Sequence, residues 1–104
     1  MVKVENNNEF ALKVYASIAG IPEGKVATYG DVAELAGYPR HARHVGKLLS
    51  QLPEGSKIPW YRVVNAKGEI SLRGDNLIRQ REKLLAEGVS VSETGKLSLR
   101  LFRW

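Results

Sequence analysis

The segment Ile58-Pro59-Trp60-Tyr61-Arg62-Val63-Val64 brings aromatic, basic and apolar side chains together between two groups of turn residues, at 53–56 and 67–68. An indole has a weakly acidic N–H and no useful nucleophilicity, so Trp60 cannot attack a substrate. The 104 residues contain no cysteine. They therefore provide no thiolate nucleophile, no disulfide and no cysteine ligand for zinc. What Trp60 can offer instead is a broad apolar surface against which a ligand could pack.

A second group of residues favours a polyanionic partner. The sequence has 16 Lys and Arg against 11 Asp and Glu, a formal net charge of +5. Part of this charge lies on a helix that we predict to begin at Pro39 and to last to about Gln51. Its buried face is marked by Ala42, Val45, Leu48 and Leu49, and its outer face carries Arg40, His41, Arg43, His44 and Lys47. The two histidines lack neighbouring carboxylate or thiolate ligands, so we expect no metal site and no cofactor.

The two small residues of this helix, Ala42 and Gly46, lie four positions apart and therefore on one face. A thin helix face would let the backbone approach a nucleic-acid groove closely. Close packing against another element of the chain would explain the small residues equally well. The sequence leaves both interpretations open, as it does for a basic face that is simply solvated.

Two further helices are predicted before this one. Asn8 can cap a first helix, whose apolar residues recur at helical spacing until Gly20. Thr28 and Asp31 have the spacing of a capping box, which would open a short second helix that Gly37 ends. We expect three residues of that helix to face inward, namely Val32, Leu35 and Ala36. Two short helices joined by a glycine-containing turn indicate a helix-turn-helix.

The second half of the chain completes the predicted fold. Residues 58–72 predict a small hairpin or an irregular loop, and a fourth helix follows, capped by Asp75 or Asn76 and ended by Gly88. Residues 89–101 alternate apolar and polar side chains around a turn, which predicts a β-hairpin wing. The expected fold class is mainly α with small β elements, a winged helix-turn-helix-like DNA-binding domain. We expect one domain over residues 1–104.

Three segments between Ile21 and Glu87 resemble the C-terminal, DNA-binding domain of O6-alkylguanine-DNA alkyltransferases. They are Ile21-Pro22-x-Gly24-x-Val26-x-Thr28-Tyr29-Gly30 at the start of the helix-turn-helix, Ala42-Arg43-x-Val45-Gly46 in the recognition helix, and residues 58–64 in the active-site loop. The match covers about two thirds of the chain. Each segment alone is a weak signal, but their shared order and spacing make the resemblance specific.

The departures from the family pattern are as informative as the matches. Trp60 stands where the family has its nucleophilic cysteine, and Tyr61 where it has the neighbouring histidine. Alkyl transfer needs a thiolate generated beside a base, so transfer by this route is excluded. The sequence is therefore identified as similar to the alkyltransferase-like proteins, which bind the damage without repairing it. Leu52 replaces a family asparagine that braces the loop, which leaves the loop geometry open.

The resemblance implies a role for each matched residue. It implies that the recognition helix enters the minor groove, with Ala42 and Gly46 allowing close approach and Arg43 replacing the extruded base. Tyr29 would rotate the neighbouring phosphate and contact the flipped guanine. The alternative for both Tyr29 and Trp60 is a structural role in the hydrophobic core. The damaged-base pocket would be lined by Tyr29, Leu49, Trp60, Val63, Arg73 and Gly74. Arg62 and Glu87 are expected to brace the loop internally.

The resemblance implies a non-enzymatic protein that binds O6-alkylguanine in duplex DNA, flips the base and flags it for nucleotide excision repair. Its partners would be damaged double-stranded DNA and excision-repair proteins. No apolar run is long enough for a membrane span, and we expect a cytoplasmic monomer. The alternative is a helix-turn-helix regulator without lesion specificity. A hydrolase using Tyr61, Ser71 or Asp75 is disfavoured because no base-plus-nucleophile spacing emerges.

Overall fold

The computed structural model describes the backbone of residues 2–104 and the side chains of residues 9–104. The α-helices within this range are α1 (Val2–Ala19), α2 (Tyr29–Leu35), α3 (Ala42–Ser50), α4 (Asp75–Ala86) and α5 (Leu99–Phe102). A 3-10 turn spans Trp60–Arg62, and two short strands are β1 (Ala27–Thr28) and β2 (Val63–Val64). The predicted fold class, mainly helical with small β elements, is confirmed.

The capping box at the start of α2 forms as predicted. Thr28 Oγ1 accepts a hydrogen bond from the backbone N–H of Asp31 at 3.0 Å, and Asp31 Oδ2 accepts one from the N–H of Thr28 at 3.1 Å. Gly37, with a φ of 89°, ends the helix. The inward face is Val32, Ala33 and Ala36, whereas Leu35 is 57% exposed. The prediction for Leu35 was wrong. Successive side chains are rotated by about 100° around a helix, and the side of α2 that packs on the core includes Ala33 rather than Leu35.

Two predicted helix starts are wrong. The first helix begins at Val2 rather than after Asn8, whose side chain lies outside the described residues. The third begins at Ala42 rather than at Pro39, because Arg40 has a φ of 74°, in the left-handed region that a right-handed helix cannot include. Pro39 therefore belongs to the turn between α2 and α3. No helix in the described range is long and apolar enough to cross a bilayer.

The two strands decide how the halves of the chain meet. β1 and β2 pair in parallel, with Ala27 opposite Val63 and Thr28 opposite Val64. Residues 58–72 therefore do not form a local hairpin, because their strand β2 pairs with β1 in the first half of the chain. This pairing joins the segment that leads into α2 to the segment that follows the 3-10 turn.

The predicted β-hairpin over residues 89–101 does not form. The alternation does describe burial, since Val89 and Val91 are buried while Ser90 and Ser92 are exposed. The N–H of Ser92 donates to the carbonyl of Lys96 across the predicted turn, but within these described residues no ladder extends from this bond. Instead, the N–H of Ile70 donates to the carbonyl of Gly95, and that of Leu97 donates to the carbonyl of Gly68. Residues 99–102 then form α5, capped by the Ser98 hydroxyl. The period-two alternation identifies the buried side chains of residues 89–92 but fails at Leu101, which is 66% exposed, and it does not identify the segment to which the backbone bonds.

Candidate nucleic-acid interface

A cavity of about 560 Å³ lies between α3 and α4, beside the 3-10 turn. The residues that line it come from α2, α3, the loop after α3, the 3-10 turn, β2, the loop before α4 and the first half of α4. They are Tyr29, Ala42, Arg43, Gly46, Leu49, Ser50, Leu52, Pro53, Glu54, Gly55, Ser56, Trp60, Val63, Ser71, Leu72, Asn76, Arg79 and Gln80. The volume falls within the range of about 300–1,000 Å³ that is typical of small-molecule pockets.

Tyr29 forms one wall of the cavity. As the first residue of α2 it is partly buried and packs against a core cluster that includes Val32 and Val45. Its hydroxyl lies 2.9 Å from Ser71 Oγ, which joins the helix-turn-helix to the loop before α4. A methyl group added at Gly46 would meet the Tyr29 ring at 3.8 Å, an ordinary contact. Internal packing therefore does not require glycine at position 46.

Trp60 lies at the start of the 3-10 turn, is partly buried and lines the cavity. Its ring makes an edge-on contact with Tyr61, with 5.8 Å between centroids. Among the cavity residues it is accompanied by the apolar side chains of Leu49, Leu52 and Val63. The indole therefore contributes to an apolar wall rather than to a closed core.

Tyr61, Arg62 and Glu87 form a hydrogen-bonded network behind this wall. The Tyr61 hydroxyl donates to Glu87 Oε2 at 2.9 Å, and Arg62 Nη2 donates to the same oxygen at 2.6 Å. Arg62 Nη1 also donates to the carbonyl of Ile21 at 2.8 Å, and Glu87 Oε1 accepts from the N–H of Gly24 at 3.1 Å. The network ties the 3-10 turn to the end of α4 and to the turn before β1. This geometry agrees with the expectation that Arg62 and Glu87 brace the loop internally.

The network also fixes the protonation states of its members. Burial would raise the pKa of Glu87, but hydrogen bonds from Arg62, Gly24 and Tyr61 outweigh it and lower that pKa. Burial, together with the hydrogen bond to Glu87, raises the pKa of Tyr61. The hydrogen bond to Glu87 raises the pKa of Arg62. At neutral pH the network is therefore a carboxylate held by a guanidinium and a neutral phenol, and Tyr61 cannot serve as a base.

Gln80 is a site residue that the sequence analysis missed. It is 2% exposed on α4, and its Nε2 donates to the carbonyls of Tyr61 at 3.1 Å and Val63 at 3.0 Å. One amide thereby holds the backbone that follows directly after Trp60. A polar residue predicted on the inner side of α4, between Leu77 and Leu84, was the available signal, because a buried amide must find hydrogen-bond partners.

Arg103 is a second residue that the sequence analysis missed. Its Nη2 and Nε donate to the two Asp31 oxygens at 2.6 and 2.9 Å, and this pairing lowers the pKa of Asp31 against the opposing effect of burial. The backbone of Arg103 also bridges to Val26 in parallel, next to β1. Arg103 therefore stabilises the capping box at the start of α2, the helix whose first residue is Tyr29.

The structure brings most of the predicted site residues to one cavity. Ala42, Arg43 and Gly46 of α3 line it together with Tyr29, Leu49, Trp60 and Val63. Arg73 and Gly74 do not line it; both are exposed and lie between Leu72 and Asn76, which do. Within the described residues no group of three or more metal-ligating side chains occurs.

Fold and site together define a helix-turn-helix domain with an aromatic cavity beside its basic third helix. Residues 9–89 match the family described as "6-O-methylguanine DNA methyltransferase, DNA binding domain". The chain belongs to this family, in its alkyltransferase-like branch, in which the active-site cysteine is absent. Because Trp60 stands in the place of that nucleophile, the protein is not a DNA alkyltransferase.

Named relatives and solved structures agree with this assignment. The chain is 57% identical to the DNA base-flipping protein of Vibrio parahaemolyticus over 97 residues, covering 93% of this chain and 97% of that protein. It is 41% identical to Alkyltransferase-like protein 1 of Schizosaccharomyces pombe, covering 93% and 95%. The crystal structure of S. pombe Atl1 with damaged DNA containing O6-carboxymethylguanine superposes with a TM-score of 0.85 at 40% identity, covering 93% and 95%.

Proposed function

We propose that this protein recognises O6-alkylguanine in duplex DNA by rotating the damaged base into the cavity beside α3. The observation that carries the proposal is the juxtaposition of an apolar aromatic wall, at the position of the missing nucleophile, with an exposed basic helix. A relative is named a DNA base-flipping protein, and the S. pombe relative has been crystallised with damaged DNA. Binding without transfer fits a site that has a surface for a base but no thiolate.

We further propose that α3 enters the minor groove. Ala42 and Gly46 present little side-chain bulk on the surface that lines the cavity, so the helix backbone can approach DNA closely. Arg43, exposed in the first turn of α3, would enter the base stack where the damaged base has left. A planar guanidinium can stack between bases while donating hydrogen bonds to the unpaired partner base.

The flipped base would contact the cavity walls. Tyr29 and Trp60 supply aromatic faces, Leu49 supplies an apolar side chain, and Val63 supplies a backbone carbonyl that Gln80 already holds in position. Arg73 and Gly74 would act from the exposed loop before α4: Gly74 allows the tight passage of the loop at a φ of 61°, and Arg73 would extend towards the O6 position. Selectivity follows in part because pairing at O6-alkylguanine is already weakened, which lowers the cost of flipping.

We also propose the cellular role implied by this binding. Insertion of a side chain from the minor groove bends the duplex, and a bent, persistently occupied lesion can be recognised by nucleotide excision repair proteins. The protein would act in the cytoplasm as a monomer.

The direct test is a fluorescence-anisotropy titration of one duplex with and without a single O6-methylguanine, at fixed salt because phosphate contacts dominate absolute affinity. We expect the modified duplex to bind at least about tenfold more tightly, roughly 1.4 kcal/mol. Mass spectrometry should then show unchanged protein and DNA. Equal affinities would leave a DNA-binding domain without lesion specificity, such as a helix-turn-helix regulator, and loss of the alkyl mass from the DNA would reveal a catalyst.

A further inference from the structure

Arg79 is a cavity residue with no assigned role. It lies on α4, is exposed and lines the cavity together with Asn76, one helical turn earlier. In the described part of the chain, no hydrogen bond or ion pair engages its guanidinium. Asp75 lies four positions before it, at a spacing that allows an ion pair, yet the two do not form one. The charge of Arg79 is thus available to a ligand at the rim of the cavity.

The position of Arg79 is fixed by the next residue of α4, Gln80. Gln80 is buried and holds the carbonyls of Tyr61 and Val63, so α4 cannot rotate or slide without breaking both hydrogen bonds. α4 packs against the 3-10 turn, whereas α3 packs against α2, and both helices line the one cavity. Arg79 therefore lines the cavity from α4, whereas Arg43 lines it from α3.

Two exposed arginines from different helices at one cavity suit a nucleotide that has left the duplex. A helix inserted in the groove contacts the phosphates that flank it whether or not a base is flipped. Rotation of a nucleotide out of the duplex also displaces its own phosphate towards the cavity, where both arginines are exposed. From this geometry, and resting on the base flipping proposed above, we infer that Arg79 contacts the backbone phosphate of the flipped nucleotide and is engaged only in the lesion complex.

The inference predicts a specific signature in the salt dependence of binding. Each phosphate neutralised on B-DNA contributes a slope of about −0.9 to log K against log salt concentration. The wild-type protein should show a slope about one unit steeper on a duplex with one O6-methylguanine than on the unmodified duplex. In Arg79→Gln this difference between the two slopes should vanish. Raising the salt from 50 to 200 mM should then weaken binding of the modified duplex by a factor that is roughly three to four times smaller than in the wild type.

Two further variants make the test decisive. Arg79→Lys keeps the charge and should restore the slope. Arg100→Gln removes an equal charge from α5, where the residue is exposed and does not line this cavity, and should leave the slope difference intact. Thermal unfolding of each variant should match the wild type, because both arginines are exposed and outside the core.

The outcomes separate the inference from the proposed function. If Arg79→Gln lowers both slopes equally, Arg79 contacts the duplex generally and the inference is wrong. If it lowers lesion affinity without changing the slope, Arg79 contacts the base and not its phosphate, which also overturns it. If the wild-type protein shows no preference for the modified duplex, both the proposed base flipping and the inference are wrong. If the preference is present but Arg79→Gln leaves the slope difference unchanged, only the role of Arg79 is refuted.

Discussion

Replacing Gly46 with alanine should stabilise the protein and at the same time weaken lesion binding. Gly46 is in the middle of α3, where glycine costs about 0.5–1 kcal/mol relative to alanine. The new methyl carbon would lie 3.8 and 3.9 Å from two carbons of the Tyr29 ring, which is normal van der Waals contact without strain. The melting temperature of a domain of this size should therefore rise by about 2–8 °C.

The effect on binding should have the opposite sign. The same methyl group would stand on the cavity wall beside Tyr29, where we propose that the helix backbone and the flipped base come together. Forcing an extra methyl group into a close-packed contact costs about 1–3 kcal/mol, which is roughly 5- to 150-fold in Kd. The unmodified duplex should lose less affinity than the modified one, because it leaves the cavity unused.

Thermal unfolding and anisotropy on the two duplexes measure both effects in one preparation. Ser17→Ala is a matched control, since it also raises helix propensity but lies on α1, away from the cavity. It should raise stability slightly and leave both affinities unchanged. A Gly46→Ala protein that binds the modified duplex as tightly as the wild type would refute the proposed close approach. A lowered melting temperature would refute the packing described between α3 and Tyr29.

Three other predictions follow from the same site. Trp60→Ala should reduce affinity for the modified duplex more than for the unmodified one in anisotropy titrations, and equal losses would argue against its role as a pocket wall. Trp60→Cys should remain unalkylated by mass spectrometry, because Tyr61 is a neutral phenol of raised pKa rather than a base; an alkylated cysteine would contradict this. Because the folded-state pKa of Glu87 is lowered, its stabilising contribution should be complete above its ordinary value near 4.5 and disappear as pH falls through the lowered one. In denaturant unfolding from pH 3 to 7, Glu87→Gln should cost on the order of 3 kcal/mol at pH 7 and flatten the acid slope, and a wild-type slope in the variant would exclude Glu87 as its source.

The match between sequence and structure is closest where the interactions are local. The Thr28–Asp31 capping box and the glycine that ends α2 were predictable because their hydrogen bonds and dihedral angles involve residues within one or two turns. The network of Arg62 and Glu87 was expected from the resemblance, and its atoms now explain the bracing. The assignment to the family was likewise possible from three short segments in a shared order.

The predictions failed where a segment had to choose a distant partner. Residues 89–101 have a strand-like pattern, yet their backbone bonds to residues 68–70, and the last residues form α5. β2 pairs with β1 across a separation of 36 residues in the register of Ala27 with Val63, which no local pattern indicates. Gln80 and Arg103 were missed for the same reason, because their partners lie 17 to 72 positions away.

The sequence by itself determined the chemistry of this protein: the absence of cysteine and the presence of Trp60 in the matched segment exclude alkyl transfer whatever the fold. It also determined the basic and apolar faces of α3, since helical periodicity assigns them. The resemblance implied that Tyr29 and Trp60 line one pocket, but only the tertiary structure decided that Gly46 and Arg79 line it with them and that Arg73 and Gly74 do not. The physical reason is that a cavity is bounded by segments that chain separation does not relate, and their positions are set by strand pairing and by buried hydrogen bonds such as those of Gln80.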